Sequence, residues 1–231
     1  MCSITQLLEK TVAGERLSFE DYLKIYEEAP LSQLGKIAEL IARRLHPENI
    51  VTFVVDRNIN YTNICTTGCK FCAFYRIKND PDTYTLSHEQ ILDKVRELRA
   101  LGGTQILLQG GHNPELRISY FEELFKKIRD RYPEIDIHSL SAPEIDYLVR
   151  LEKLSYREVL ERLHNAGLKS LPGGGAEILD DEIRNRISPN KVKTDKWLEI
   201  HKIAHTLGMK STATMVYGFG EKPEHRIKHL L

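Results

Sequence analysis

The chain has 231 residues, and Lys+Arg and Asp+Glu balance at 33 each. With no basic run or patch it lacks the electrostatic footprint of a nucleic-acid-binding protein, and 41% hydrophobic residues fit a soluble globular one. No apolar stretch approaches the ~20 residues of a membrane span. The start, MCSITQLLEKTVAGERL, carries Glu9, Lys10, Glu15 and Arg16 where an export signal needs an apolar core, so a cytoplasmic protein is expected.

In chain order, residues 3–45 read as helices. Ser18 stands as an N-cap ahead of Asp21, and Leu34, Ile37, Leu40 and Ile41 recur at helical spacing. The β-branched and aromatic run IVTFVV (50–55) predicts a first buried strand. SHEQILDKVRELRALGG opens with Ser87 and Gln90 in capping-box register and closes at Gly102. Strands are predicted at TQILLQGG (104–111), IDIHSLS (135–141), LKSLPGGG (168–175) and KSTATMVYGFG (210–220). Helices are predicted at SYFEELFKKIRDRYP, SYREVLERLHNAG and TDKWLEIHKIAHTLG, with another starting at Pro223.

This strand–loop–helix alternation predicts an α/β fold with parallel strands and crossover helices. The chemically distinctive residues all follow strand C-termini, which favours a βα barrel, or part of one, over a doubly wound sheet. A helical extension over 1–48 and an α/β core over 49–231 are expected. A closed barrel typically needs about 250 residues. With five predicted strands, the core is expected to be a barrel truncated at its C-terminal side, its last strand near 211–217 leaving an apolar edge.

NICTTGCKFCAFYR (63–76) holds three of the four cysteines, Cys65, Cys69 and Cys72, as C-x3-C-x2-C. Cys2 reads as a bystander. Idle thiols would be scattered, and four cysteines so placed make no disulfide framework. Structural zinc wants four ligands, commonly as C-x2-C pairs, and the nearest downstream histidine, His88, falls at a helix start. A [4Fe–4S] cluster has four iron positions, and three thiolates would leave one iron open to a chelating substrate.

C-x3-C-x-F-C after a first strand resembles the signature of the radical S-adenosylmethionine (SAM) superfamily. The further motifs DRNINYTNICTTGCKFCAFYR, LLQGGHNPEL, HSLSAPEI, LPGGGAEIL and ISPNKVKTDKWLEIHKIAHTLGMKSTATMVYG resemble, in order, the radical SAM enzymes of the futalosine route to menaquinone. The branch favoured is the one that cyclises dehypoxanthine futalosine; the aminofutalosine-forming and deazaflavin-cofactor-forming branches remain alternatives, as does an inactive cluster-binding remnant.

The resemblance implies a [4Fe–4S] cluster on Cys65, Cys69 and Cys72 and SAM chelating its open iron. It implies Phe71 against the adenine, and SAM contacts from Gly110, Gly111 and Glu177. It further implies hydrogen abstraction from the ribosyl C4′, closure onto the substrate's aromatic ring, and a low-potential electron donor such as flavodoxin or ferredoxin. His112 stands where the family's GGE motif has its carboxylate. Tyr61, His138 and Ser141, with Glu144, are expected to form a polar substrate wall. Asn63 is expected to fix the cysteine loop, Tyr75 and Arg76 to contact SAM or substrate, and Trp197 to pack. No nucleic-acid or membrane partner is expected.

Overall fold

The computed structural model describes residues 2–231. In chain order it contains α1 (Ile4–Ala13), α2 (Phe19–Glu28), α3 (Leu31–Leu45), β1 (Asp56–Asn60), α4 (His88–Ala100), β2 (Gln105–Gln109), α5 (Ile118–Arg131), β3 (Asp136–Ser139), α6 (Ala142–Glu152), α7 (Tyr156–Ala166), β4 (Leu168–Leu171), α8 (Asp181–Ile187), α9 (Thr194–Thr206), β5 (Lys210–Ser211) and α10 (Pro223–Leu230). These divide into two compact units, one reaching to Phe53 and taking in Tyr217–Leu231, the other Val54–Val216.

The first unit is helical. The Ser3 side chain accepts from the Gln6 N–H at the start of α1, and the Ser18 side chain from the Asp21 N–H at the start of α2. Gly14 ends α1 in the left-handed conformation that suits glycine. Within this unit Arg226 of α10 donates to the Tyr26 hydroxyl and pairs with Glu221.

The second unit is built on a five-stranded sheet of order β1-β2-β3-β4-β5, every neighbouring pair parallel. A doubly wound sheet reverses its order at a switch point, whereas sequential order is that of a barrel wall. One strand face buries Ile59, Ile106, Leu108 and Ile137 in a core shared with Val95 of α4, Phe121 and Phe125 of α5, Leu163 of α7 and Ile200 of α9. The opposite, lumenal face is polar apart from Leu107: the rung Asn58, Leu107, His138, Ser170 runs across four strands, with Asn60 beside Gln109 above it.

The strand ladder corrects two predicted strands. The first was expected at 50–55, yet Val51 and Phe53 are 91% and 86% exposed and the ladder occupies Asp56–Asn60. Only Ile59 of DRNIN is buried, because Asn58 and Asn60 face the lumen, and a strand with one polar face does not show the continuous apolar run of a fully buried one. The last strand is two residues, Lys210–Ser211, where 210–220 was expected. Beyond Ser211 threonine hydroxyls take over from the ladder: Thr212 Oγ1 accepts from the Gly173 N–H, and Thr214 Oγ1 donates to the Gly173 carbonyl. A Cβ on Gly173 would lie 2.5 Å from Ala213 Cα, so glycine lets these two segments touch.

Two helices were not predicted. Helix α6 starts at a capping box, with the Ser141 N–H donating to Glu144, and carries Pro143 in its first turn. Helix α8 is capped by Asp180, whose carboxylate accepts from the Glu182 N–H. The boxes at Ser87–Gln90 and Ser155–Glu158 and the glycine stop at Gly167 form as the sequence predicts.

Candidate cofactor-binding site

The strand C-termini meet at a cavity lined by Cys65, Cys69 and Cys72, and also by Asn60, Asn63, Phe71, Tyr75, Gln109, Gly110, Gly111, His112, Ser141, Glu144 and Lys191. All three cysteines are free thiols; Cys69 is buried and the other two are half-buried. Burial pushes the Cys69 thiol up, and the Lys191 ammonium opposes that shift.

Neighbouring loops hold the cysteine loop on two sides. After β2, the Gly111 N–H donates to Thr62 O, the Thr66 N–H donates to His112 O, and Thr67 Oγ1 is 2.6 Å from His112 Nδ1. A Cβ on Gly111 would lie 2.1 Å from Ile64 O and 2.8 Å from Cys65 Cβ, so only glycine allows the β2 end to pass this close. From the end of α8 and the segment after it, Asn190 Nδ2 donates to Thr67 O, and the Lys70 N–H donates to Ile187 O. Asn63 fixes the segment after the loop, donating to Asp82 O and accepting from the Tyr84 N–H. Arg76 turns away from the cavity, to Asp82 and the carbonyls of Ala73 and Tyr75.

His112, in the place of the expected carboxylate, stacks on Tyr147 with ring centroids 4.8 Å apart. Burial, with the nearby Lys191 and Arg150 charges, pushes it down to about 3, so its ring is neutral near pH 7.

Below the cysteines, Glu144 ties three strand ends together. Its Oε1 accepts from the Tyr61 hydroxyl at 2.7 Å and the Gly110 N–H at 3.0 Å; its Oε2 accepts from the Ser141 N–H and hydroxyl at 2.7 and 2.5 Å. Burial raises the Glu144 carboxyl above its ordinary range, while these donors pull the other way. Tyr61 therefore points its hydroxyl at Glu144, and its ring packs edge-on against Phe121. His138 hydrogen-bonds Ser170 at 2.6 Å in the lumenal rung. The structure thus brings Ser141 and Glu144 to the cavity wall and leaves Tyr61 and His138 out of it.

Glu177 is buried, with φ +43°, in the turn before α8. Its Oε1 accepts from Lys191 Nζ at 2.8 Å; its Oε2 lies 3.8 Å from Arg184 Nη1 and accepts no hydrogen bond. Arg184 is 1% exposed and donates to the carbonyls of Ala176 and Val192, which fixes the turn. Lys191, which lines the cavity beside the thiols, lies within the ISPNKVK motif but was not singled out as a site residue in the sequence. Trp197 packs in the core and stacks on His201 at 3.8 Å.

The family model for the radical SAM superfamily matches residues 59–231. The chain belongs to the radical SAM superfamily. It is 48% identical over 228 residues to a Halalkalibacterium halodurans protein named cyclic dehypoxanthine futalosine synthase, an alignment that covers 99% of this chain and 62% of that one. A Streptomyces coelicolor protein of the same name is 44% identical, with 97% of this chain and 57% of that one covered. The chain thus spans about three-fifths of the length of these relatives. The crystal structure of methylornithine synthase superposes with a TM-score of 0.71 at 18% identity, covering 97% of this chain and 63% of that one, a likeness of fold alone.

A [4Fe–4S] cluster and SAM are the superfamily's cofactors, and the donor set fits them: three free thiols on one cavity and a glycine-lined strand end against the loop that bears them. Among the described residues no helix is long and apolar enough to cross a membrane.

Proposed function

We propose that this chain carries the cofactor-binding part of a radical SAM enzyme that cyclises dehypoxanthine futalosine in menaquinone biosynthesis. The observation that carries the proposal is the convergence of Cys65, Cys69 and Cys72 on one strand-end cavity, in a chain 44–48% identical over nearly its whole length to proteins named for that reaction.

In this proposal the three cysteines hold a [4Fe–4S] cluster whose open iron takes SAM. When bound, the pair supplies a 5′-deoxyadenosyl radical, using an electron from a low-potential donor of the flavodoxin or ferredoxin class. Phe71, on the cavity wall, offers an aromatic face to the adenine. Gly110 and Gly111 allow SAM to approach the β2 end at the backbone, without a side-chain carboxylate. Glu177 is the SAM contact that the family resemblance implies, and it holds Lys191 at the cavity. Ser141 contributes to the substrate wall, while Tyr61 and His138 position the strand ends beneath it.

The test is a side-by-side assay of anaerobically reconstituted protein with dehypoxanthine futalosine and with the enolpyruvyl-benzoate substrate of the aminofutalosine-forming branch, following 5′-deoxyadenosine and cyclised product. Turnover of the first alone supports the proposal. The opposite preference assigns the chain to the sibling branch, and the absence of 5′-deoxyadenosine with either supports a cluster-binding remnant.

A further inference from the structure

The segment after α8 brings a charged side chain to the cysteines. Lys191 lines their cavity, with its side chain 14% exposed. Its ammonium is held 2.8 Å from Glu177 Oε1 and 5.6 Å from the centroid of the Phe71 ring. Phe71 stands between Cys69 and Cys72, so the ammonium is anchored over the loop that presents two of the three thiols. The anchor is rigid. Glu177 is buried in a left-handed turn, and Arg184, committed to the Ala176 and Val192 carbonyls, lies 3.8 Å from its other oxygen.

Two features separate this group from an ordinary structural ion pair. The lysine faces the cavity instead of bulk water, and Lys191 makes the only side-chain hydrogen bond found to the Glu177 carboxylate among the described residues, with Arg184 close to its other oxygen at ion-pair distance. Fixed charges shielded from water act strongly on one another. Around an iron–sulfur cluster they contribute, with burial and hydrogen bonds to sulfur, to the reduction potential.

We propose that the Lys191–Glu177 pair sets the reduction potential of the cluster held by Cys65, Cys69 and Cys72, with Lys191 favouring the reduced state and Glu177 the oxidised one. This rests on the cluster assignment made above. The step is a one-electron reduction, [4Fe–4S]2+ plus one electron giving [4Fe–4S]1+, the electron coming from an external low-potential one-electron donor. The added electron makes the site more negative, so a neighbouring ammonium lowers the energy of the product and a neighbouring carboxylate raises it. Lys191 and Glu177 are positioning residues in this scheme; neither ligates iron.

The experiment is a potentiometric titration of anaerobically reconstituted protein, monitored by the EPR signal of the reduced cluster, with iron content and SAM affinity measured on the same samples. Lys191→Gln is expected to move the midpoint to more negative potential, Lys191→Arg to stay at the parent value, and Glu177→Gln to move it to more positive potential, all at parental iron content. A merely structural role predicts no such opposition of sign. Midpoints that do not move, or that move in the same direction for Lys191→Gln and Glu177→Gln, overturn the proposal. So does a Lys191→Gln variant that loses only SAM affinity, which would make Lys191 a direct SAM contact. If Lys191→Gln fails to assemble a cluster, the positive shift in Glu177→Gln and the parental value in Lys191→Arg decide the matter. A parent protein that binds no cluster overturns the cluster assignment itself, an outcome visible in the iron content before any potential is read.

Discussion

Replacing Glu144 by alanine should be among the most destabilising single changes in the Val54–Val216 unit. The carboxylate is 4% exposed and accepts from Tyr61 Oη, the Gly110 N–H, the Ser141 N–H and Ser141 Oγ. Alanine removes all of these acceptors at once. If water entering the space re-satisfies half of the donors, the rest are stranded at about 1–3 kcal/mol each. The buried side-chain carbons add about 1 kcal/mol. A loss of about 5 kcal/mol results, equivalent to a fall of roughly 10–20 °C in Tm for a domain of this size. Glu144→Gln keeps an oxygen for Tyr61 and Gly110 but turns an NH2 toward the Ser141 donors, so about 1–3 kcal/mol is expected. Urea and thermal denaturation of the cluster-free proteins measure both. An alanine variant within about 1 kcal/mol of the parent, or a glutamine variant as unstable as the alanine one, would refute the idea that this network carries the three strand ends.

The same carboxyl gives a pH signature: burial raises it above its ordinary 4.5 in the folded protein, so the fold holds its proton where the unfolded chain has lost it, and stability falls as pH rises from 4.5 through the raised value. Glu144→Gln should flatten that slope in denaturation curves collected across pH 4–8. Alanine at Cys65, Cys69 or Cys72 should abolish SAM cleavage and lower reconstituted iron from about four per chain, whereas Cys2→Ala should leave both intact. Gly111→Ala should block cluster assembly while circular dichroism stays native, because the new methyl meets the Ile64 carbonyl and Cys65 at the loop. The control Gly35→Ala, where a Cβ on α3 meets nothing within 4 Å, should stabilise by about 0.5–1 kcal/mol in the same measurements.

The order of strands and helices was legible because capping boxes, glycine stops and apolar periodicity are local signals, and Ser87–Gln90, Ser155–Glu158 and Gly167 form as their sequences indicate. The misplaced strands have a common cause. Asn58 and Asn60 face a polar lumen, so β1 resembles a turn, while the exposed IVTFVV run before it has the composition of a strand. At the other end, Thr212 and Thr214 divert backbone groups of Gly173 that a composition-based reading assigns to a ladder. Helix α6 was legible in principle, since Ser141-x-x-Glu144 is a capping box, but the same two residues also suggested a substrate wall. The cysteines and glycines of the cavity were visible as contiguous motifs. Lys191 lies in such a motif too, but its role was not legible: its partners Glu177 and Phe71 are elsewhere in the sequence, and only the fold brings the three together.

The most direct test of the central claim is the EPR spectrum of anaerobically reconstituted, reduced protein recorded without and with SAM. A cluster on three cysteines with one open iron should give a reduced [4Fe–4S] signal in the parent whose g-values shift when SAM is added, and that signal should disappear in each of the Cys65, Cys69 and Cys72 variants. Stoichiometric zinc with little iron in protein purified without air, or a cluster signal that SAM leaves unchanged, would contradict it.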